Sequence, residues 1–363
     1  MNDNNNLAQD LLEFYDREAR ELPFRINPKP YYTWISEIML QQTRMETAVP
    51  YFNRFIEALP TIQDLAEVAD DQLMKLWEGL GYYSRARNLK KAAQVIQSDF
   101  WGVMPSAYEE LIALPGIGPY TGGAIASIAF GQAVPAVDGN VMRVFSRVKA
   151  YEKPVMTATG RRFIYDAVRS VMSGERPGDF NQAVMELGAT ICLPNGAPLC
   201  EKCPINAYCK AYQTGDPLDY PVLPVKKARK IEEKTVFLIY QNIGETRSFM
   251  VERRPEGGLL SGMYQFPMKS GHQSEEETRK WILEQGITDF SLKPGKRAKH
   301  IFSHIEWHMI SYEVQVFCSK VGEPSYNWNW VSGDELELIT LPTAFKTYRA
   351  QMADLLNPST IKS

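Results

Sequence analysis

Leu114-Pro-Gly-Ile-Gly-Pro-Tyr120 separates two segments of helical periodicity and indicates how the first part of the chain folds. Gly116 and Gly118 allow a tight backbone turn, and Pro119 suits the first turn of the helix that follows. Such a turn can point backbone N–H groups outward at a helix N-terminus, where a phosphate binds without a cationic side chain. A plain connection between two helices fits the same residues, so the motif alone leaves both interpretations open.

On both sides of this turn the sequence has the periodicity of an all-α domain. Helical spacing of apolar residues runs from Leu7 to about Tyr212, and short connections with Gly or Pro separate the helical segments. We therefore predict a compact helical domain over residues 1–212, with a helix–hairpin–helix at 107–130.

After the helical segments the composition changes twice. Residues 213–234 contain three prolines and a basic run with little periodicity, which indicates an interdomain linker. From 235 to 363 strand-like runs accompany a helix that begins after the capping residue Ser274. We predict an α+β second domain here. The strand-like runs are 235–242, 247–253 and 307–318.

The composition of the 363-residue chain fits a protein of two globular domains. Its first ten residues lack the apolar stretch of a secretory signal, and no run approaches the roughly 18 apolar residues of a membrane span. We therefore expect a cytoplasmic protein without a membrane partner. The formal net charge of −3 does not by itself indicate a nucleic-acid partner, so phosphates would have to bind at local basic clusters. These clusters, which fit solvated helix faces equally well, are Arg85, Arg87, Lys90 and Lys91; Arg143, Arg147 and Lys149; and Lys226, Lys227, Arg229 and Lys230.

Four of the five cysteines lie within 18 residues, with the spacing C-x7-C-x2-C-x5-C. Thiolates this close converge on a metal more often than they form disulfides in a cytosolic chain. Four sulfur ligands suit zinc or an iron–sulfur cluster, and the spacing does not separate the two. We expect a structural role, because four thiolates leave no open coordination position. The four are Cys192, Cys200, Cys203 and Cys209, whereas Cys318 stands alone in a predicted strand and is expected to be buried.

Two carboxylates are notable for their neighbours in the sequence. Glu37 lies between Ile35 and Ile38 on a predicted helix, where a carboxylate is costly unless it is used, although an exposed helix face is the simpler interpretation. Asp138 lies immediately before a helix and fits an N-cap. A capping aspartate can also be catalytic when it faces a cleft, so these two interpretations are compatible.

The GIGPYT hairpin, the VDGN aspartate and the four-cysteine loop together resemble the helix–hairpin–helix DNA glycosylases, of which endonuclease III and MutY are the iron–sulfur members. The resemblance implies one [4Fe–4S] cluster on the four cysteines, although seven rather than six residues separate the first two. The segment WISEIMLQQT at 34–43 is similar to the MutY branch. We therefore expect a monomeric base excision repair enzyme that excises adenine paired with 8-oxoguanine or guanine in duplex DNA.

The resemblance also implies catalytic roles. Glu37 would be the general acid that protonates adenine at N7, which requires its pKa to rise from about 4.3 towards about 6–7. Asp138 would stay ionised and stabilise the oxocarbenium-like sugar, with Asn140 helping to hold it. Tyr120 takes the position of a lysine that forms a Schiff base in endonuclease III-like lyases. Because a phenol cannot form one, we expect a monofunctional glycosylase.

Binding residues follow from the same resemblance. Gln42 and Tyr82 would fill the gap left by the extruded base, although Tyr82 by itself fits a core aromatic position. The residues expected to bind adenine are Arg20, Trp34, Leu40 and Gln182. Those expected to contact the oxidised guanine or the DNA backbone are Thr43, Leu80, Gly116 and Gly118.

Residues 235–363 resemble the MutT-like domain of MutY proteins and contain GLLSGMYQFP. Their helix lacks the nudix pattern of glutamates, so magnesium-dependent pyrophosphate hydrolysis is not expected. The loop Phe302-Ser303-His304 matches the one with which the family probes 8-oxoguanine. Ser303 would hydrogen-bond around N7–H and O8 of the damaged base, and His304 would support Ser303.

Three other functions remain open at this point. An endonuclease III-like pyrimidine glycosylase and AP lyase is disfavoured by Tyr120 and by the second domain. A non-catalytic lesion-binding protein is disfavoured by Glu37 and Asp138. A nudix nucleotide hydrolase is disfavoured by the missing glutamates.

Overall fold

The computed structural model describes residues 3–26, 28–224, 228–244, 246–317 and 328–356. The chain divides into two compact units. The first, here called the helical unit, comprises Met1–Val68 and Ser84–Val225, and the second, here called the mixed unit, comprises Ala69–Tyr83 and Lys226–Ser363. The predictions for Cys318, Lys226 and Lys227 lie outside the described residues.

The first part of the chain is helical, as its periodicity predicts. The helices are α1 (Asp3–Glu18), α2 (Pro23–Ile26), α3 (Pro30–Leu40), α4 (Met45–Ala58), α5 (Ile62–Glu67), α6 (Asp70–Leu76), α7 (Ser84–Asp99), α8 (Tyr108–Ala113), α9 (Pro119–Ile128), α10 (Gly139–Lys149), α11 (Ala158–Arg169), α12 (Pro177–Thr190) and α13 (Lys210–Thr214). All of these except α6 belong to the helical unit.

The hairpin connects α8 to α9 through a turn that only glycine adopts easily. Gly116 has a φ of +78°, and a Cβ there would lie 2.6 Å from Cβ of Asn88. Gly118 has extended backbone and caps α9, where Pro119 occupies the first turn without needing an N–H partner. The turn therefore places Tyr120 at the start of α9.

The helical unit has a core in which α10 and α12 pack against α1. Its fully buried side chains include Phe145 on α10, Phe180 on α12 and Leu11 on α1. Burying one such side chain contributes about 1.5–3 kcal/mol to folding. The packing fixes α10 and α12 relative to each other, and both helices carry predicted site residues.

The mixed unit is built on a mixed β-sheet with helices on both faces. Within the described residues the strands are β1 (Lys230–Ile243), β2 (Thr246–Arg253), β3 (Tyr264–Gln265), β4 (Met268–Ser270), β5 (Phe290–Pro294), β6 (Ala298–Ile301), β7 (Ile305–Val316) and β8 (Trp328–Ser332). The sheet order is β3-β2-β1-β7-β5, with β4 on β1, β6 on β7 and β8 on β2. Only β1 and β7 pair in parallel among these strands, and the others pair in antiparallel fashion.

The central strand β1 is covered on both faces, which explains its nearly continuous apolar run. Val236 and Leu238 face a core shared with Tyr348 of the last helix, whereas Phe237 and Ile239 face a core shared with Ile282. The helices of this unit are α14 (Glu275–Glu284), α15 (Gly333–Leu338) and α16 (Lys346–Leu356). The predicted fold class, an all-α domain followed by an α+β domain, is confirmed.

The compact units differ from the predicted boundaries in two places. Residues 69–83 group with the mixed unit, where Glu78 accepts from Arg349 at 2.9 Å. The first part of the predicted linker groups with the helical unit, because Arg147 donates to the carbonyls of Pro217 and Tyr220 at 2.9 and 3.0 Å. Periodicity does not reveal either contact. No helix in the described ranges combines the length and the apolar character that spanning a bilayer requires.

Candidate active site

A cavity of about 390 Å³ opens in the helical unit where α3, α9, α10 and α12 converge. These helices are distant in sequence, so the cavity exists only in the folded chain. Its lining includes the predicted residues Arg20, Glu37, Leu40, Thr43, Tyr120, Asp138, Asn140 and Gln182. The fold therefore brings the carboxyl groups of Glu37 and Asp138 and the phenol of Tyr120 into the same cavity.

Glu37 is the buried acid of this cavity, with only 7% of its surface exposed. Helix α3 is buried on nearly all sides, so the residue cannot turn to solvent. Burial raises the pKa of Glu37, the hydrogen bond from Tyr120 lowers it, and the negative charge of Asp138 raises it again, which together leave the pKa at about 7. Its carboxyl is therefore partly protonated near neutral pH, as the resemblance requires.

Tyr120 donates its hydroxyl to Oε2 of Glu37. Burial and the charges of Glu37 and Asp138 raise the pKa of Tyr120 well above its ordinary value, so the phenol keeps its proton. A neutral phenol in this position offers a hydrogen bond but no amine. The Schiff-base step of a lyase has no nucleophile at this residue.

Asp138 is the N-cap of α10, and its two oxygens are both occupied. Oδ1 accepts from the backbone N–H of Val141 at 2.7 Å, and Oδ2 accepts from Nδ2 of Asn140 at 2.8 Å. Burial raises the pKa of Asp138 above its ordinary value, although these two hydrogen bonds act in the opposite direction. The expectation from the sequence that Asp138 stays ionised does not take its burial into account. Burial disfavours the charged carboxylate, whereas both hydrogen bonds favour it.

An ion cluster that sequence reasoning missed lies on one wall of the cavity. Glu186 is buried on α12, and its carboxylate accepts from Arg25 at 2.9 Å and from Arg20 through Nε and, at 3.2 Å, Nη2. A buried carboxylate needs such partners, because an unpaired one is very costly. Glu186 follows Gln182 by four residues, so helical spacing was the available signal.

Two of the predicted binding residues are buried, each within its own unit. Trp34 is fully buried, packs edge-on against Tyr31 at 6.2 Å and does not line the cavity, so the structure gives no support to its predicted contact with adenine. Leu80 is also buried in the mixed unit, with 7% exposed, which leaves little surface for DNA.

Gln42 and Tyr82, the predicted wedge residues, share an unusual backbone. Their φ angles are 58° and 47°, a left-handed conformation that costs a residue with a side chain roughly 1–2 kcal/mol. Gln42 is exposed, and Tyr82 is 47% exposed. Strained and exposed residues of this kind cluster at functional sites, which supports the prediction for both.

The Phe302-Ser303-His304 loop joins β6 to β7 in the mixed unit. Phe302 packs against Trp307 at 4.9 Å, and its N–H donates to Ile305 O at 2.8 Å to close the turn. Ser303 and His304 are exposed at the tip. Oγ of Ser303 lies 2.9 Å from the hydroxyl of Tyr82, which belongs to the same unit.

The four clustered cysteines line one small cavity of the helical unit. No group of three or more His, Cys, Asp or Glu side chains among the described residues is arranged to hold a single metal ion. Nη1 of Arg147 lies 3.1 Å from Sγ of Cys192. Burial, together with the neighbouring thiols, raises the pKa of Cys203 to about 12, so four thiolates here would need a positive group between them.

Two of the predicted basic clusters are partly internal, and their buried arginines fit neither a phosphate site nor a solvated helix face. Arg85, Arg143 and Arg147 are less than 10% exposed. Arg85 donates to the carbonyls at the end of α3, and Arg143 donates to Gly188 O at 2.6 Å. Each guanidinium satisfies carbonyls that would otherwise be buried without partners.

Comparisons with known proteins agree with this arrangement. The sequence profile of the HhH-GPD superfamily base excision DNA repair proteins matches residues 35–162, and that of the NUDIX domain matches residues 235–351. The adenine DNA glycosylase of Homo sapiens is 33% identical over 405 residues, which cover 94% of this chain and 73% of the human protein. That of Buchnera aphidicola subsp. Baizongia pistaciae is 32% identical over 338 residues, covering 92% and 93%. A solved thermostable thymine-DNA glycosylase has a TM-score of 0.53 and 28% identity, covering 57% of this chain and 95% of its own.

Proposed function

Because the chain belongs to the adenine DNA glycosylases, we propose that it hydrolyses the N-glycosidic bond of adenine paired with 8-oxoguanine or guanine, without cutting the strand. The observation that carries this proposal is the buried Glu37, which shares a cavity with Tyr120 and Asp138 and has a pKa of about 7. A general acid works best when its pKa lies near the working pH.

Glu37 and Asp138 divide the chemistry between them. Glu37 gives its proton to N7 of the extruded adenine, which turns a poor leaving group into a neutral one. Asp138 is held by Val141 and Asn140 with its charge directed to the sugar, where positive charge develops as the bond breaks. Water then forms the new bond to the anomeric carbon and gives its proton to the Glu37 carboxylate, which restores the acid.

The opposite base is recognised, in this proposal, by the mixed unit. Oγ of Ser303 and the hydroxyl of Tyr82 satisfy each other at 2.9 Å in the protein alone. Hydroxyl groups can donate and accept, so the pair can exchange this bond for the N7–H and O8 of 8-oxoguanine. Guanine has an unprotonated N7 and no O8, and it would satisfy fewer of these groups.

The four cysteines are proposed to hold one [4Fe–4S] cluster. The four cysteines line one shared cavity, and four thiolates are the ligand set that a [4Fe–4S] cluster requires. When bound, the cluster would supply positive iron to neutralise the thiolates and brace the 192–209 loop. Iron and acid-labile sulfide content of the purified protein would test this, and a stoichiometric zinc content without sulfide would contradict it.

The test of the reaction is single-turnover release of adenine from a duplex with adenine opposite 8-oxoguanine. Wild type should release the base and produce strand breaks only after alkali. Glu37→Gln should lose release by at least about a hundredfold, since a positioned acid typically contributes 10²–10⁴-fold. Glu46→Gln is the matched control, because Glu46 lines the same cavity but is exposed.

The free energy of unfolding of Glu37→Gln shows whether a loss of adenine release comes from lost chemistry or from lost folding. The pKa of Glu37 is about 7 in the folded chain and about 4.3 in the unfolded one. Stability therefore falls as the pH rises between these values, and Glu37→Gln should be at least as stable as wild type at pH 8. Strand cleavage without alkali would indicate a lyase instead, and tight binding without release would indicate a lesion sensor.

A further inference from the structure

The loop between α9 and α10 ends at Asp138 and folds back along α9. Residues 134–137 of this loop, here called the strap, lead directly into the Asp138 cap. Pro135 and Ala136 of the strap are buried, so its course is set by the protein around it.

Asn181, on α12, holds the strap with both ends of its amide. Its Oδ1 accepts from the N–H of Ala136 at 3.0 Å, and its Nδ2 donates to Val134 O at 2.9 Å. Nδ2 also donates to Oγ of Ser127 on α9 at 2.8 Å. Asn181 is 1% exposed, so its carboxamide makes these three bonds away from the protein surface.

The strap also lies unusually close to α9. A Cβ at Gly123 would overlap the carbonyl oxygen of Pro135, and backbone there cannot yield cheaply. Gly123 thus allows the strap to lie close to α9, and the hydrogen bonds of Asn181 hold the strap at that position. Oγ of Ser127 adds a bond to Gly123 O at 2.7 Å, which belongs to α9 and does not touch the strap.

The three parts that meet at Asn181 each carry a group of the active site. Helix α9 carries Tyr120, α12 carries Gln182 next to Asn181, and the strap ends at Asp138. A displacement of about 1 Å at a reacting group can cost about a hundredfold in rate. By holding the strap, the Asn181 carboxamide affects the distance between Asp138 and Tyr120, to which the proposed reaction is sensitive.

We propose that Asn181 is a positioning residue of the reaction: by clamping the strap, it sets Asp138 relative to Glu37 and Tyr120. The inference rests on the proposed function and deepens it. Asn181 does not line the cavity, and in this proposal it acts only through the strap.

The test uses the full-length protein and Asn181→Asp. The aspartate keeps the acceptor for Ala136 but faces Val134 O with an oxygen, so the strap loses one of its two bonds. At saturating enzyme, adenine release should fall roughly ten- to a hundredfold. Affinity for an uncleaved duplex whose deoxyadenosine carries a 2′-fluoro group should stay within about threefold, since the binding surface is unchanged.

The pH profile supplies a readout that a purely structural role would not move. A loosened strap weakens the hydrogen bonds that hold the Asp138 carboxylate, and its pKa rises. The acid limb of the rate profile should therefore shift to higher pH in Asn181→Asp. The basic limb, which reports Glu37, should stay in place.

Ser127→Ala is the matched control, because it removes one bond of Asn181 but none that reaches the strap. It should lower thermal stability, reduce the rate less than Asn181→Asp does, and leave the acid limb unchanged. Gly123→Ala is a second variant that displaces the strap without altering Asn181, and it should reproduce the loss of rate. It decides the matter if Asn181→Asp fails to fold.

A folded Asn181→Asp with the wild-type rate and acid limb would overturn the proposal. Equal loss of rate in Asn181→Asp and Ser127→Ala would also overturn it, since the network would then act only by packing. A wild-type protein that releases no adenine would instead refute the proposed function, before any variant is compared.

Discussion

Thr33 lies one helical turn before Glu37 on α3 and lines the same cavity. Its hydroxyl is buried and has no hydrogen-bond partner among the described residues. A buried hydroxyl without a partner costs about 1–3 kcal/mol. Replacing it by the isosteric valine should therefore stabilise the protein by about 1 kcal/mol, seen as a higher urea midpoint with an unchanged m-value.

Ser36 provides the matched control on the same helix. Its equally buried hydroxyl donates to Thr33 O at 3.0 Å. Ser36→Ala removes a made bond and should destabilise by about 1 kcal/mol. If Thr33→Val lowered the midpoint as much as Ser36→Ala, the hydroxyl of Thr33 would have a partner in solution.

Tyr120→Phe tests how the pKa of Glu37 is set. The Tyr120 hydrogen bond lowers the pKa of Glu37, which is about 7 with the bond in place. Without that bond the acid should hold its proton to higher pH. The basic limb of the single-turnover profile, measured between about pH 5 and 9, should therefore move upward from about 7. A limb that stays or moves down would show that the bond does not stabilise the ionised form.

At the scale of elements, the helix–hairpin–helix depends on two glycines in different ways. Gly116→Ala places a Cβ 2.6 Å from Asn88 at a φ of +78°, so it should lower stability by at least about 1 kcal/mol and weaken duplex binding. Gly118→Ala meets nothing within 4 Å and should change stability by less than about 0.5 kcal/mol. Urea unfolding of both variants measures the difference, and equal losses would refute this account of the turn.

The element scale also shows why local patterns predicted so much of the fold. The turn at Gly116, the N-cap at Asp138 and the capping box at Ser274 each depend on a few neighbouring residues, and all three are present in the structure. Local sequence patterns do not distinguish residues 69–83 from the helical segments on either side of them. Their grouping with the mixed unit depends on partners such as Arg349, more than 250 residues away.

For the whole molecule, discrimination of the opposite base should depend on the mixed unit. Ser303→Ala removes one hydroxyl of the pair with Tyr82. It should reduce the preference for adenine opposite 8-oxoguanine over adenine opposite guanine about tenfold, the effect of one hydrogen bond. Ser270→Ala, another exposed serine of this unit, should leave the preference unchanged. The measurement is the ratio of single-turnover rates on the two duplexes, and an unchanged ratio in Ser303→Ala would contradict the proposed recognition.

The sequence by itself determined the order of helices and strands, the hairpin, the cap at Asp138 and the four-cysteine loop, because each depends on spacing within a short segment. The tertiary structure decided what the chemistry needs. It placed Trp34 in the core rather than the cavity, paired Glu186 with Arg25, and clamped the strap with Asn181. It also set the pKa of Glu37, since burial and the approach of Tyr120 and Asp138 arise only when distant helices converge. Short-range patterns fix local conformation, whereas dielectric surroundings and long-range partners come from packing.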